Sequence, residues 1–163
     1  MQHIPNQDTP LTRCAHYRDV CGLPAIIDPP SLGRITFPAG HIGALTMPAP
    51  LGETVRQHMK SRGAAVGPII GHIGSNRWTY LVRPNVPEDD TRVFSDMYRA
   101  NVIIVRAGVV VLPSPTAQSW ALRRWIEPPR NTFRPSALLV VETIRMCTGS
   151  DRDSRTLVMP RVR

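Results

Sequence analysis

Apolar residues along this chain come in short runs separated by proline and glycine, and two stretches carry a clear helical period. The first is LGETVRQHMKSRG, opened by Pro50. Leu51, Val55 and Met59 recur at four-residue spacing, Glu53 sits in the first turn, Lys60 and Arg62 in the last, and Gly63 supplies a stop. The second is RPSALLVVETIRMC, where Pro135 suits a first-turn position and Leu138, Val141, Ile144 and Arg145 share a face. The remaining apolar runs are strand-sized. Residues 35 to 37 and 43 to 47 each end at a proline. GPIIGH (67 to 72) and RWTYLVR (77 to 83) flank Gly74-Ser75-Asn76, which predicts a β-hairpin. Residues 100 to 105 and 109 to 112 flank Arg106-Ala107-Gly108, which predicts a second hairpin, and 124 to 126 form one more short strand. Residues 86 to 100 are acidic early and basic late, a loop that turns into a short helix.

This order predicts an α+β fold, with a mostly antiparallel or mixed sheet and a few helices on one face. Residues 1 to 13 lack any period and read as a flexible arm, 14 to 147 as one α+β domain, and 148 to 163 as a flexible basic tail.

Composition sharpens this picture in three ways. The 17 prolines in 163 residues are about double average usage, which favours short elements and fixed turns. The net charge is +8, and Lys60 is the only lysine among 20 basic residues. An arginine-for-lysine bias accompanies GC-rich bacterial genomes; the charge itself favours anionic partners. Three cysteines, Cys14, Cys21 and Cys147, make no disulfide framework, and no apolar run is long enough to span a bilayer. The expectation is a cytoplasmic bacterial protein with no membrane association.

Candidate chemistry is sparse. Cys14, His16 and Cys21 are three soft ligands close together, but zinc needs a fourth that is not nearby, so they read as unligated side chains and no metal is expected. Glu88, Asp89 and Asp90 are consecutive and so do not converge as metal-holding acids do; they suit a helix N-terminus. Ser114, Thr116, Ser119 and Ser150 offer hydroxyls without a nucleophile elbow, and no phosphate loop or dinucleotide fingerprint is present, so no cofactor is expected. His72 ends a strand and is placed to face a cleft with Arg77. What remains is arginine beside aromatic residues. Arg77, Trp78 and Arg83 lie on one hairpin arm, and Trp120, Arg123 and Arg124 lie in the stretch from 109 to 129, around the short strand at 124 to 126. Arginine forks pair with phosphate and aromatic faces stack bases, so these six are the candidate nucleic-acid contacts, with a single strand favoured. The bland reading puts Trp78 and Trp125 in the core and the arginines on a solvated rim.

One set of short motifs carries a resemblance. MPAPLG entering a helix, GPII, WTYLVRP, a strand ending VVVLPSP and then WIEPP resemble small actinobacterial proteins related to the N-terminal domain of bifunctional DNA primase/polymerases, over about residues 43 to 129. The resemblance implies a primase-polymerase-like α+β fold, with an acidic pair on one strand, a histidine on a later strand and a third acid holding divalent metal for nucleotidyl transfer. This chain departs from that pattern. Asp28 is followed by Pro29-Pro30 where a second acid would stand, and His72, at a strand end, is the only candidate for the family's histidine. The expectation is therefore a reduced, non-catalytic relative that binds nucleic acid or serves as a replication or regulatory accessory protein. Two alternatives stand beside it: a protein-interaction module with no nucleic-acid affinity, and a metal-dependent nucleotidyl transferase.

Overall fold

The computed structural model describes residues 8–149, and these form an α+β fold of five helices and two antiparallel sheets. Helix α1 (Pro10–Asp19) leads to a two-residue strand β1 (Ile26–Ile27), a single 3-10 turn at Pro30–Leu32, and strands β2 (Ile35–Pro38) and β3 (Gly43–Pro48). Then come α2 (Ala49–Ser61), β4 (Ile69–His72), β5 (Arg77–Val82), α3 (Thr91–Arg99), β6 (Ile103–Val105) and β7 (Val109–Leu112). The chain ends its described part with α4 (Ala117–Leu122), β8 (Arg123–Glu127) and α5 (Ala137–Thr148). None of the described helices is long and apolar enough to cross a membrane.

The larger sheet has the order β6-β3-β5-β4-β8 and the smaller the order β1-β2-β7. Strand parity divides the larger sheet into two faces. Leu45, Met47, Tyr80, Val82 and Ile69 face the helices and pack with Val55 and Met59 of α2, Val93 and Met97 of α3, and Val140, Val141 and Ile144 of α5. Ala44, Leu81 and Ile70 face the other way, against Ile35, Phe37, Val110 and Leu112 of the small sheet and Cys14 and Tyr17 of α1. The five-stranded sheet is thus the middle of three layers, with an apolar core on each side.

Several expectations hold locally. The β4–β5 hairpin forms, with His72 opposite Arg77. The helix opened near Pro50 buries Val55 and Met59. Asp90 caps α3 through its side chain, which accepts from the Val93 N–H at 3.0 Å, so one of the three consecutive acids sits where a helix N-terminus favours it.

Others are corrected. Residues 10–13, expected within a flexible arm over 1–13, belong instead to α1, which Pro10 starts behind a reciprocal cap between Thr9 and Thr12; residues 1–7 lie outside the described part. Only two side chains of this helix, Cys14 and Tyr17, are buried, too few to announce a period. Of the expected tail, Thr148 closes α5 and Gly149 caps it in the left-handed conformation (φ 77°); residues 150–163 lie outside the described part. Pro135 precedes the cap residue Ser136 rather than occupying the first turn. The hairpin expected around Arg106-Ala107-Gly108 does not pair with itself. β6 pairs with β3 in the large sheet while β7 pairs with β2 in the small one, so the turn carries the chain from one layer to the other. The single sheet expected from the strand count is accordingly two.

Candidate anion-binding cleft

The change of layer between β6 and β7 leaves a gap between the sheets. It is a cleft of about 270 Å³, lined on the large sheet by Thr46, His72, Arg77, Thr79 and Arg123 and on the small sheet by Val109–Val111. Parity explains the first set. His72 stands opposite both Arg77 and Arg123, and Thr46 stands opposite Thr79, so all five side chains project to one face.

The polar groups are connected. Thr46 Oγ1 and Thr79 Oγ1 lie 2.9 Å apart, and His72 Nε2 lies 2.8 Å from Thr79 Oγ1. Arg77 is braced from outside the cleft: its Nη2 donates to the carbonyls of Thr46 (3.0 Å) and Asn101 (2.8 Å), which leaves its buried Nε without a partner. Arg123 has no ion pair and no side-chain hydrogen bond among the described residues, and its Nε is also buried and unpartnered. No carboxylate lines the cleft.

The electrostatics follow from this. Burial, and then the charges of Arg123 and Arg77, hold the His72 imidazole below its ordinary value, which keeps it neutral at pH 7. Burial, and then the neighbouring Arg34, lower the Arg123 guanidinium. Positive charge is therefore confined here in a partly dry site without a counter-ion. Buried guanidinium groups are normally paired. The arrangement can accept an anion with two or more oxygens, through Arg123, the one hydroxyl hydrogen that the Thr46–Thr79 bond leaves over and, when protonated, the charge of His72.

The six sequence-predicted contacts do not share one surface. Arg77 and Arg123 line the cleft. Trp78 and Arg124 face the opposite side of the same sheet, where they border a shallow hollow with Ile126 beside α2. Trp78 is half-buried, its ring laid against Gly52, so the core reading holds for it in large part. Trp125 is half-buried as well, edge-on to Tyr17. Arg83 lies at the far end of β5, roughly 20 Å along the strand from Arg77, where its backbone anchors the entry to α5. Trp120 is 60% exposed on α4, three positions before Arg123. The interface expected from six residues is divided between two faces and one strand end.

Sequence reasoning missed Thr46 and Thr79. The signal was there: Arg77 and Thr79 have the same parity on β5, and a hairpin turn over 73–76 sets His72 beside Arg77. The loop after β7, unassigned from sequence, contains α4, capped by the Thr116 side chain at the Ser119 N–H. Among the described residues no three His, Cys, Asp or Glu side chains gather as metal ligands; Cys14 and Cys21 are buried in the core and His16 is exposed. A larger hollow of about 450 Å³, bordered by Lys60, Pro128, Pro129, Arg130 and Phe133, lies beside α2, and its one carboxylate, Glu127, is already paired to Arg56 and Lys60. No family model, curated protein or solved structure matches this chain.

Proposed function

We propose that this protein binds a phosphate-bearing ligand in the inter-sheet cleft without transforming it, and that single-stranded nucleic acid is the ligand class. One observation carries the reading: Arg123 holds a partly buried guanidinium that has no ion pair, beside Arg77, His72 and two threonine hydroxyls, in a cleft with no acid. A phosphodiester group supplies the missing charge and the missing acceptors. Trp120, exposed on α4 next to β8, offers a face on which a base can stack. The net charge of +8 supports the same class of partner. Arg83, Arg124 and Trp78 are left out of this contact set, because they lie away from the cleft mouth.

The test is fluorescence anisotropy of a labelled single-stranded oligonucleotide from low to physiological salt, with and without Mn²⁺. Affinity that falls steeply with salt and ignores metal supports the reading. A requirement for metal favours nucleotidyl transfer instead. No binding at the lowest salt removes the nucleic-acid reading and turns attention to the groove beside Pro128, Pro129 and Phe133 as a protein-docking surface.

A further inference from the structure

His72 is the one group in the cleft whose charge can change near neutral pH. Its surroundings are unusually one-sided. From β5 it faces Arg77 and Thr79, from β8 Arg123, and Thr46 of β3 stands behind Thr79. Ser75 closes the hairpin side, and the opposing walls bring only valines, Val105 from β6 and Val109–Val111 from β7. No carboxylate and no second histidine lines the cleft. Beyond it, Arg34 adds further positive charge beside Arg123. Protonating His72 in the empty cleft therefore places a third cation among unpaired cations in a partly dry space. An anion lodged against Arg123 reverses the balance, since the imidazolium then gains a counter-charge.

We infer that an anion entering the cleft draws a proton onto His72, so that the affinity for anions of fixed charge rises as pH falls. This rests on the anion-binding reading of the cleft, and it extends it: the site is a proton-coupled receptor, not a fixed one. The hydrogen bond to Thr79 suits the exchange. Thr79 Oγ1 can donate to neutral Nε2, and it can accept from a protonated Nε2 by turning its own hydrogen toward Thr46. The sign follows from linkage. Bound anion raises the imidazole titration point, so a proton is taken up between the empty and the occupied values. Affinity grows by up to about tenfold per pH unit across that window and is level on either side of it.

The experiment is an NMR titration of the histidine side chains in the wild-type chain, with and without sodium sulfate at constant ionic strength. Sulfate keeps its charge over the range, so only the protein titrates. The expected result is an upward shift of the His72 midpoint with sulfate, while exposed His16 and His41 do not move. An unchanged His72 midpoint at high sulfate overturns the inference. A second arm measures oligothymidylate binding against pH, since thymine and phosphodiester do not titrate there. His72→Gln is expected to bind more weakly than the wild type at low pH and to lose the pH slope that the wild type shows. The two readings fail separately. Sulfate that moves His72, together with an oligonucleotide that does not bind, leaves the coupled site standing and removes nucleic acid as the ligand. An oligonucleotide that binds with equal pH slopes in the wild type and His72→Gln overturns the coupling and leaves nucleic-acid binding in place.

Discussion

The indole N–H of Trp125 donates to the phenol oxygen of Tyr17 at 2.9 Å, and Tyr17 in turn donates to the carbonyl of Pro113 at 2.7 Å. The Tyr17 phenol is the meeting point of α1, β8 and the segment that leaves β7. The two rings stand edge-on, with centroids 5.8 Å apart. Tyr17→Phe removes the shared hydroxyl and strands a buried carbonyl and an indole N–H. We expect a loss of about 1–3 kcal/mol in unfolding free energy, read by urea denaturation followed through tryptophan emission. A change within measurement error would show that the chain from Trp125 to Pro113 is replaceable by water.

Arg123→Ala separates binding from stability. It removes a phosphate contact, so oligonucleotide affinity should drop and the salt slope should shrink by about 0.7 for a single strand. It also removes a partly buried cation that has no partner, so the denaturation midpoint should stay level or rise. Arg124→Ala, on the opposite face, should leave binding unchanged. Equal losses from both variants would indicate diffuse attraction to a basic protein rather than a site.

Gly52→Ala opposes two effects. Alanine within α2 gains about 1 kcal/mol of helix propensity over glycine. Its Cβ, however, would lie 2.8 Å from Cε3 of Trp78, a ring atom that cannot move away alone. Overpacking of this kind costs about 1–3 kcal/mol. We expect net destabilisation, with a shift in tryptophan emission as Trp78 leaves the helix; a stabilised variant would mean that α2 slides freely over the sheet.

Glu127 receives Arg56 Nε at 2.6 Å and Lys60 Nζ at 2.5 Å, tying β8 to α2. Burial pushes its carboxyl up, but the hydrogen bonds from Lys60 and Arg56 outweigh this and hold it below its ordinary value. A depressed folded value means that the contribution is fully present above the unfolded value and is lost as pH falls through the folded one. Glu127→Gln should cost up to about 1 kcal/mol at neutral pH, the scale of a partly exposed pair. The gap to wild type should close on acidification; a gap that persists in acid would assign the effect to packing.

Contacts between neighbours in sequence were legible. The turn at 73–76 makes the β4–β5 hairpin readable, and with it the pairing of His72 and Arg77. Helix α2 was readable from the spacing of Leu51, Val55 and Met59. Two features were not. The pairing of β2 with β7 joins residues 35–38 to 109–112, and no local pattern records a partner so distant. Whether Arg123 or Arg124 faces the cleft depends on where α4 stops and β8 starts, and a shift of one residue exchanges them. A basic pair was readable; its division between two faces was not.

The same long-range pairing bears on how the protein is made. A nascent chain that has reached β5 already holds β2, β3 and β4, each with one edge bare, and their partners β7, β6 and β8 come from residues 109–112, 103–105 and 123–127. Open strand edges invite pairing with other chains. Helix α5, which supplies Val140, Val141 and Ile144 to the core, emerges later still. Synthesis therefore passes through a stretch in which three strand edges and one apolar face await segments not yet translated, and slow or truncated translation over that stretch exposes the chain to aggregation before its cleft exists.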